Sequence, residues 1–141
     1  MPDTHSAPMP GGLPSLQRLT PVLVVESVSE CLPFWTDRLG FELTTQVPGD
    51  DGSMTFAILE RDGIEVMYQS TASVLADGAL KKAELEGHSV VLFITVRSLD
   101  DVERRLAGAP VVKPRHDTFY GSTEIYVKEP GGNMVGFAQM K

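Results

Sequence analysis

The sequence predicts an α+β fold made of two copies of one βαβββ unit. Three observations carry this. Apolar runs and turn signals follow the order strand, helix, strand, strand, strand, and then the same order again. The segments Val25-Glu26-Ser27-Val28 and Val96-Arg97-Ser98-Leu99 match in residue type at an offset of 71 residues. Neither unit can cover both faces of its own sheet, so the two are expected to pair. A repeat of this kind decides the fold before any single element does.

The elements follow in chain order. LTPVLVVE (19–26) is apolar and rich in Val, the pattern of a buried strand. Ser27 with Glu30 three residues on matches a capping box and opens a helix. Leu32, Trp35 and Leu39 fall on one face of it, and Gly40 is its stop. Pro33 lacks a backbone donor and predicts a distorted first turn. FELTTQV (41–47), MTFAILE (54–60) and IEVMYQ (64–69) are three strands, the last two joined across Arg61-Asp62-Gly63 as a hairpin. Residues 70–87 lack strand character and form a connector, with a short helix expected over ALKKAELEG. HSVVLFITV (88–96) is the second buried strand, and SLDDVERRLAG (98–108) is a helix capped by Ser98. PVVKPR (110–115), a loop HDTFYGS (116–122), and the strands TEIYVK and MVGFAQM around the turn EPGGN complete the second copy.

The totals fit one domain. At 141 residues a chain buries roughly 70% of its unfolded surface and needs no staples. Residues 1–15, rich in Pro and Gly, are expected to be a disordered arm. They have no basic start or apolar core, so a signal peptide is not expected. Residues 16–141 form the domain: module one over about 18–70, the connector over 71–87, and module two over 88–141. The single cysteine, Cys31, excludes an intrachain disulfide and a Cys-rich metal site, and a reducing, cytoplasmic setting is the simplest expectation. A net charge of −7 argues against nucleic acid and anionic membranes as partners. Focused in a cleft, that charge would favour a cationic ligand.

Two stretches then resemble the glyoxalase / bleomycin-resistance / dioxygenase superfamily, also called the vicinal oxygen chelate fold. One is LTPVLVVESVSECLPFWTDRLGFEL, with Phe34-Trp35 and Leu39-Gly40-Phe41 at the places of the family's aromatic pair and Leu-Gly-Phe. The other is YGSTEIYVKEPGGNMVGFAQ, where Glu129 replaces the usual Asp of the turn. The resemblance implies two βαβββ modules forming a curved mixed sheet around a cup-shaped cavity, often completed by a homodimer. Metal-using members carry four ligands, on the first and last strand of each module. Here those positions fall at Thr20, Glu65, Val91 and Gly136, of which only Glu65 can ligate. His88 is three residues out of register, and an odd slip turns it to the other face. His116 sits in the expected loop, and His5 in the arm. No metal and no cofactor is therefore expected.

Strand alternation puts Glu65, Met67 and Gln69 on one face, as it does Val91, Phe93 and Thr95, and Met134, Gly136 and Ala138. Phe119 and Tyr120 stand where relatives place an aromatic near the mouth of the cup. The candidate ligand-binding residues are thus Glu65, Met67, Phe93, Phe119, Tyr120 and Gly136. Glu65 would meet a ligand, pair with an Arg or Lys, or act as a base; Met67 and Phe93 could equally be core. Nucleophilic catalysis lacks support: there is no GxSxG, and Glu30 beside Cys31 disfavours a thiolate. The reading that follows is a metal-independent protein that sequesters a small organic ligand, as bleomycin-resistance proteins do; the ligand is cationic if the acidity is focused in the cleft, whereas the plainer reading of that acidity is solubility alone. The alternatives are a metal-dependent glyoxalase I-type lyase, ring-cleaving dioxygenase or thiol transferase using unexpected ligands, and a non-catalytic partner domain.

Overall fold

The computed structural model describes residues 13–14, 18–77 and 90–141. Module one contains β1 (Val22–Val25), α1 (Val28–Pro33), β2 (Glu42–Pro48), β3 (Met54–Arg61) and β4 (Ile64–Ser70). A helix α2 (Thr71–Asp77) follows directly, inside the stretch read from sequence as a connector. The helix expected over ALKKAELEG lies outside the described residues. Module two contains β5 (Val91–Thr95), α3 (Leu99–Arg105), β6 (Val111–Asp117), β7 (Ser122–Lys128) and β8 (Met134–Met140). The two sheets have the equivalent orders β1-β4-β3-β2 and β5-β8-β7-β6. In each, the first strand lies parallel to the last and the rest are antiparallel. This is the twofold βαβββ architecture that the repeat implies.

Local chemistry explains the details. Pro33 ends the regular part of α1, and Phe34–Arg38 continues as a π-helical turn. The proline has no N–H to carry the i→i−4 ladder, and the irregular turn lies beyond it rather than at the helix start. Ser27 takes the extended N-cap conformation but makes no side-chain cap bond, whereas the Ser98 hydroxyl accepts the Asp101 amide at 3.2 Å. Asp62 and Gly63 both have positive φ and make the two-residue turn between β3 and β4, as the hairpin signal requires. Strand β6 runs two residues further than expected, through His116 and Asp117, with register shifts around Pro114 absorbing the missing donor.

One hydrophobic cluster joins the modules. It includes Trp35, Leu59 and Val66 from the first and Leu99, Val127 and Phe137 from the second. Trp35 packs edge-on against both Phe34 and Phe41, with ring centroids 5.2 and 5.0 Å apart. A buried polar chain crosses within this core. The Trp35 indole N–H donates to the Tyr68 hydroxyl at 2.8 Å, and that hydroxyl donates to the Glu129 carboxylate. The other Glu129 oxygen accepts the backbone and side-chain amides of Asn133 at 2.5 and 2.8 Å. Glu129, the departure from the family turn, thus ties the β7–β8 turn to the β4 strand of the other module.

Two arginines make a second, reciprocal link. Arg38 donates to the Ala107 carbonyl at 2.5 Å, beyond the end of α3, and Arg105 donates to the Arg38 carbonyl at 2.7 Å. Each closes the carbonyl-rich terminus of the other module's helix. The alternate faces of both sheets are left outside this core.

Candidate functional site

The outward face of module two is set by its register. Gly136 pairs with Phe93 on one side and with Tyr126 on the other. Ala138 pairs with Glu124, which in turn faces His116 on β6. Ile125 and Val127 point the opposite way into the core. Ser122, Glu124 and Tyr126 therefore share the outward face.

A cavity of about 510 Å³ opens on this face. Its walls include Phe119, Tyr120, Tyr126 and His116, with Glu124 at the base and Met134 at one side. The Phe119 and Tyr120 rings meet edge-to-face at 5.2 Å, and the His116 and Tyr126 rings stack at 6.3 Å. Gly136 is what lets Tyr126 lie flat. A Cβ there would come within 2.4 Å of the Tyr126 ring, so the space opened by the missing side chain is filled from within the chain.

Glu124 is 1% exposed, covered in part by the hydroxyls of Tyr120, Ser122 and Tyr126. It accepts hydrogen bonds from Ser122 at 2.7 Å, Tyr120 at 2.8 Å and Tyr126 at 2.9 Å. Burial pushes its carboxyl up, but these three bonds, aided by His116, outweigh it, and the net shift is downward. The group is a carboxylate at neutral pH. Its partners respond in the opposite sense: burial and the Glu124 bond raise Tyr126 to about 12, and the Glu124 bond followed by burial raises Tyr120. Both phenols stay protonated donors.

The equivalent face of module one holds Glu65. Its carboxylate accepts the Thr20 hydroxyl at 3.0 Å, with the exposed Arg18 guanidinium at 3.4 Å. Met67 and Gln69 follow on the same face of β4, opposite Val22 and Val24. The structure thus divides the sequence-derived candidates. Phe119 and Tyr120 line the module-two cavity, Gly136 lies beneath Tyr126, and Phe93 is one strand further on. Glu65 and Met67 belong to the other sheet.

Glu124 is not among the residues the sequence points to. In TEIYVK, Ile125 and Val127 as core residues put Glu124 and Tyr126 on the cavity side, an alternation that shows only once the core is known. His116 lies on β6, not in the expected loop, and so stands opposite Glu124.

The family's metal positions do not fit a metal here. Thr20 and Glu65 meet, but in module two Gly136 faces Phe93 and Val91 faces Met134, and none of these four side chains ligates a divalent ion of that type. Among the described residues, no three His, Cys, Asp or Glu side chains are grouped to hold one. His88 lies outside the described residues. Cys31 is buried, and burial first and the nearby Glu129 second push its thiol up to about 12. It is an inert core group. No helix among the described residues is long and apolar enough to cross a membrane.

Comparison with known proteins places this geometry. The family model of the Glyoxalase/Bleomycin resistance protein/Dioxygenase superfamily matches residues 16–137. The chain belongs to this superfamily. An uncharacterized protein of Mycobacterium bovis is 29% identical over 124 residues, covering 86% of this chain and 82% of the relative. Among solved structures, the bleomycin-binding protein of Streptomyces verticillus, complexed with copper(II)-bleomycin, superposes with a TM-score of 0.62 at 24% identity. The match covers 92% of this chain and 100% of that one. Lactoylglutathione lyase of Agrobacterium tumefaciens gives 0.66 at 16% identity, over 90% and 96%. At these identities the likeness to a binding protein and to a lyase establishes the shared superfamily fold and leaves the chemistry to the site.

Proposed function

We propose that this superfamily member is a metal-independent small-molecule binding protein that holds an organic ligand on its open sheet faces. The observation that carries the reading is the module-two cavity, aromatic-walled around a covered carboxylate, in a chain whose family metal positions are mostly non-ligating. The likeness in fold to a bleomycin-binding protein is consistent with this role. Glu65, Met67 and Phe93 supply a second wall on the remaining open surface.

A homodimer is part of the proposal. Val22, Val91 and Phe93 each leave close to half of their surface exposed on the outward faces. A second copy laid across them would cover this surface and deepen the cavity.

The test has two arms. Metal content is measured on untagged protein never exposed to chelator, before and after incubation with Zn, Ni, Mn and Fe(II). The same protein is titrated by calorimetry with a panel of aromatic and cationic organic compounds. Binding without near-stoichiometric metal is expected. Tight retention of one metal would overturn the reading in favour of a metal-dependent enzyme.

A further inference from the structure

Glu124 is anomalous as a structural residue. Side chains of its type are seldom so fully covered unless a cation pairs with them. Its close partners here are three neutral hydroxyls, which use three of about four acceptor positions on a carboxylate. No Lys or Arg lies within ion-pair distance of it among the described residues. The surroundings are equally unusual. Phe119 is wholly exposed, and Tyr120 is 53% exposed, directly above the carboxylate. Tyr120 and Tyr126 direct their hydroxyl edges at this one negative charge, and Phe119 and His116 complete the aromatic wall around it.

We propose that this cavity binds an organic ammonium ion, seated among the Phe119, Tyr120 and Tyr126 rings and neutralised by the Glu124 carboxylate. The proposal rests on the reading of the chain as a small-molecule binding protein and specifies the ligand class. Ring faces attract a cation through their quadrupoles, and the attraction grows when water is excluded. The carboxylate supplies the counter-charge at no further cost of burial, because it is already covered. The other charges around the cavity narrow the class. Asp117, on the exposed rim, shares one oxygen between Thr123 at 2.8 Å and Lys141 at 3.4 Å, which offsets its charge. Lys113 lines the exposed rim, opposite Tyr126, and repels additional positive charge. The site therefore suits a single alkylated ammonium group on an apolar body rather than a polyamine.

Three probes of one shape and different charge test this: choline, the neutral 3,3-dimethylbutan-1-ol, and the anionic 3,3-dimethylbutanoate. Tyr ring signals are followed by NMR in each titration. Choline should shift the Tyr120 and Tyr126 signals and bind about fivefold tighter than the neutral alcohol, as expected of a partly desolvated cation–π site. Glu124→Gln should lower that preference to the part the rings alone supply, and an unchanged preference would refute the role of the carboxylate. Tyr120→Leu, at a half-exposed position, should weaken choline about fivefold and keeps the test independent of any folding defect in Glu124→Gln. Lys113→Gln should strengthen choline binding about twofold, the modest effect of an exposed, screened charge. If the alcohol or the carboxylate binds these residues as tightly as choline, the ammonium class is refuted while the binding-protein reading stands. If none of the three moves the tyrosine signals and the broader panel also fails to bind, both fall.

Discussion

Replacing Tyr68 by Phe tests the link between the modules with the loss of one oxygen. Tyr68 and Trp35 are completely buried, and Glu129 is 2% exposed, so water cannot replace the missing hydroxyl without opening the core. Two losses follow. The Trp35 N–H loses its acceptor, and a buried unsatisfied donor costs about 1–3 kcal/mol. The Glu129 carboxylate loses a donor, and a hydrogen bond to a charged group is worth about 1.5–3 kcal/mol. The two share one hydroxyl and one relaxation, so the sum is an upper bound. The expected loss is about 3 kcal/mol, equivalent to a fall of roughly 6–12 °C in Tm for a chain of this size.

The assay is urea unfolding followed by tryptophan fluorescence. Trp35 is the only tryptophan in the sequence, so the signal comes from a member of the chain of bonds itself. The midpoint should fall with the slope m unchanged, since the same surface is exposed on unfolding. Combining Tyr68→Phe with Glu129→Gln should cost clearly less than the sum of the two, because both cut the same bond. A loss below about 1 kcal/mol, or additivity within about 0.5 kcal/mol, would refute the claim that this polar chain ties the modules together.

Three further outcomes are expected. The folded-state pKa of Glu124 lies below its ordinary value of 4.5, so its contribution to stability is present above that value and lost as pH falls through the depressed one. The stability difference between wild type and Glu124→Gln should thus be constant near neutral pH and shrink on acidification, and denaturation curves in which it grows with acid would contradict this. Gly136→Ala puts a methyl group 2.4 Å from the Tyr126 ring, which must swing away. Overpacking should cost about 1–2 kcal/mol, and the Tyr126 phenol, released from Glu124, should titrate below about 12; an unchanged Tyr126 titration would show that the ring does not depend on the glycine. Cys31 is 1% exposed, with its thiol pushed up to about 12, so iodoacetamide should label it only under denaturing conditions; rapid labelling of native protein would refute the buried assignment.

The fold was legible because its signals are local. The Val-rich strands, the Asp62-Gly63 turn, Gly40 with φ of +71° at the end of the first helix, and Ser98 at the start of α3 each state a conformation within a few residues. The repeat then assembled them. Ser27 misled because a capping box needs a side-chain geometry that the sequence permits but does not enforce. The site was legible only in part. Phe119 and Tyr120 stand out as aromatics beside a turn, whereas Glu124 gains its meaning from three partners, one four residues before it and two at a spacing of two. Spacing of two is invisible to a search for metal or catalytic motifs, and becomes a cluster only once β7 is known to bury Ile125 and Val127.

The duplication also explains why the two open faces differ. Both modules bury the same side of their sheets against the shared core, so substitutions there are held in check by the packing of both at once. The outward faces carry no such constraint. In module one the carboxylate, Glu65, sits near the strand end, bonded to Thr20 and within reach of Arg18. In module two the carboxylate, Glu124, lies on β7 under aromatic hydroxyls, with no Lys or Arg paired to it among the described residues and His116 across the strand pair. An exposed pair such as Arg18–Glu65 contributes only about 0–1 kcal/mol and satisfies its own charge. A covered carboxylate held by neutral hydroxyls, with His116 across the strand pair and no Lys or Arg paired to it among the described residues, leaves much of its charge for something outside the chain. By that physical criterion, if the proposed ligand binds, module two is the half whose charge is open to it, and module one, with its self-paired glutamate, is the half that would enclose it.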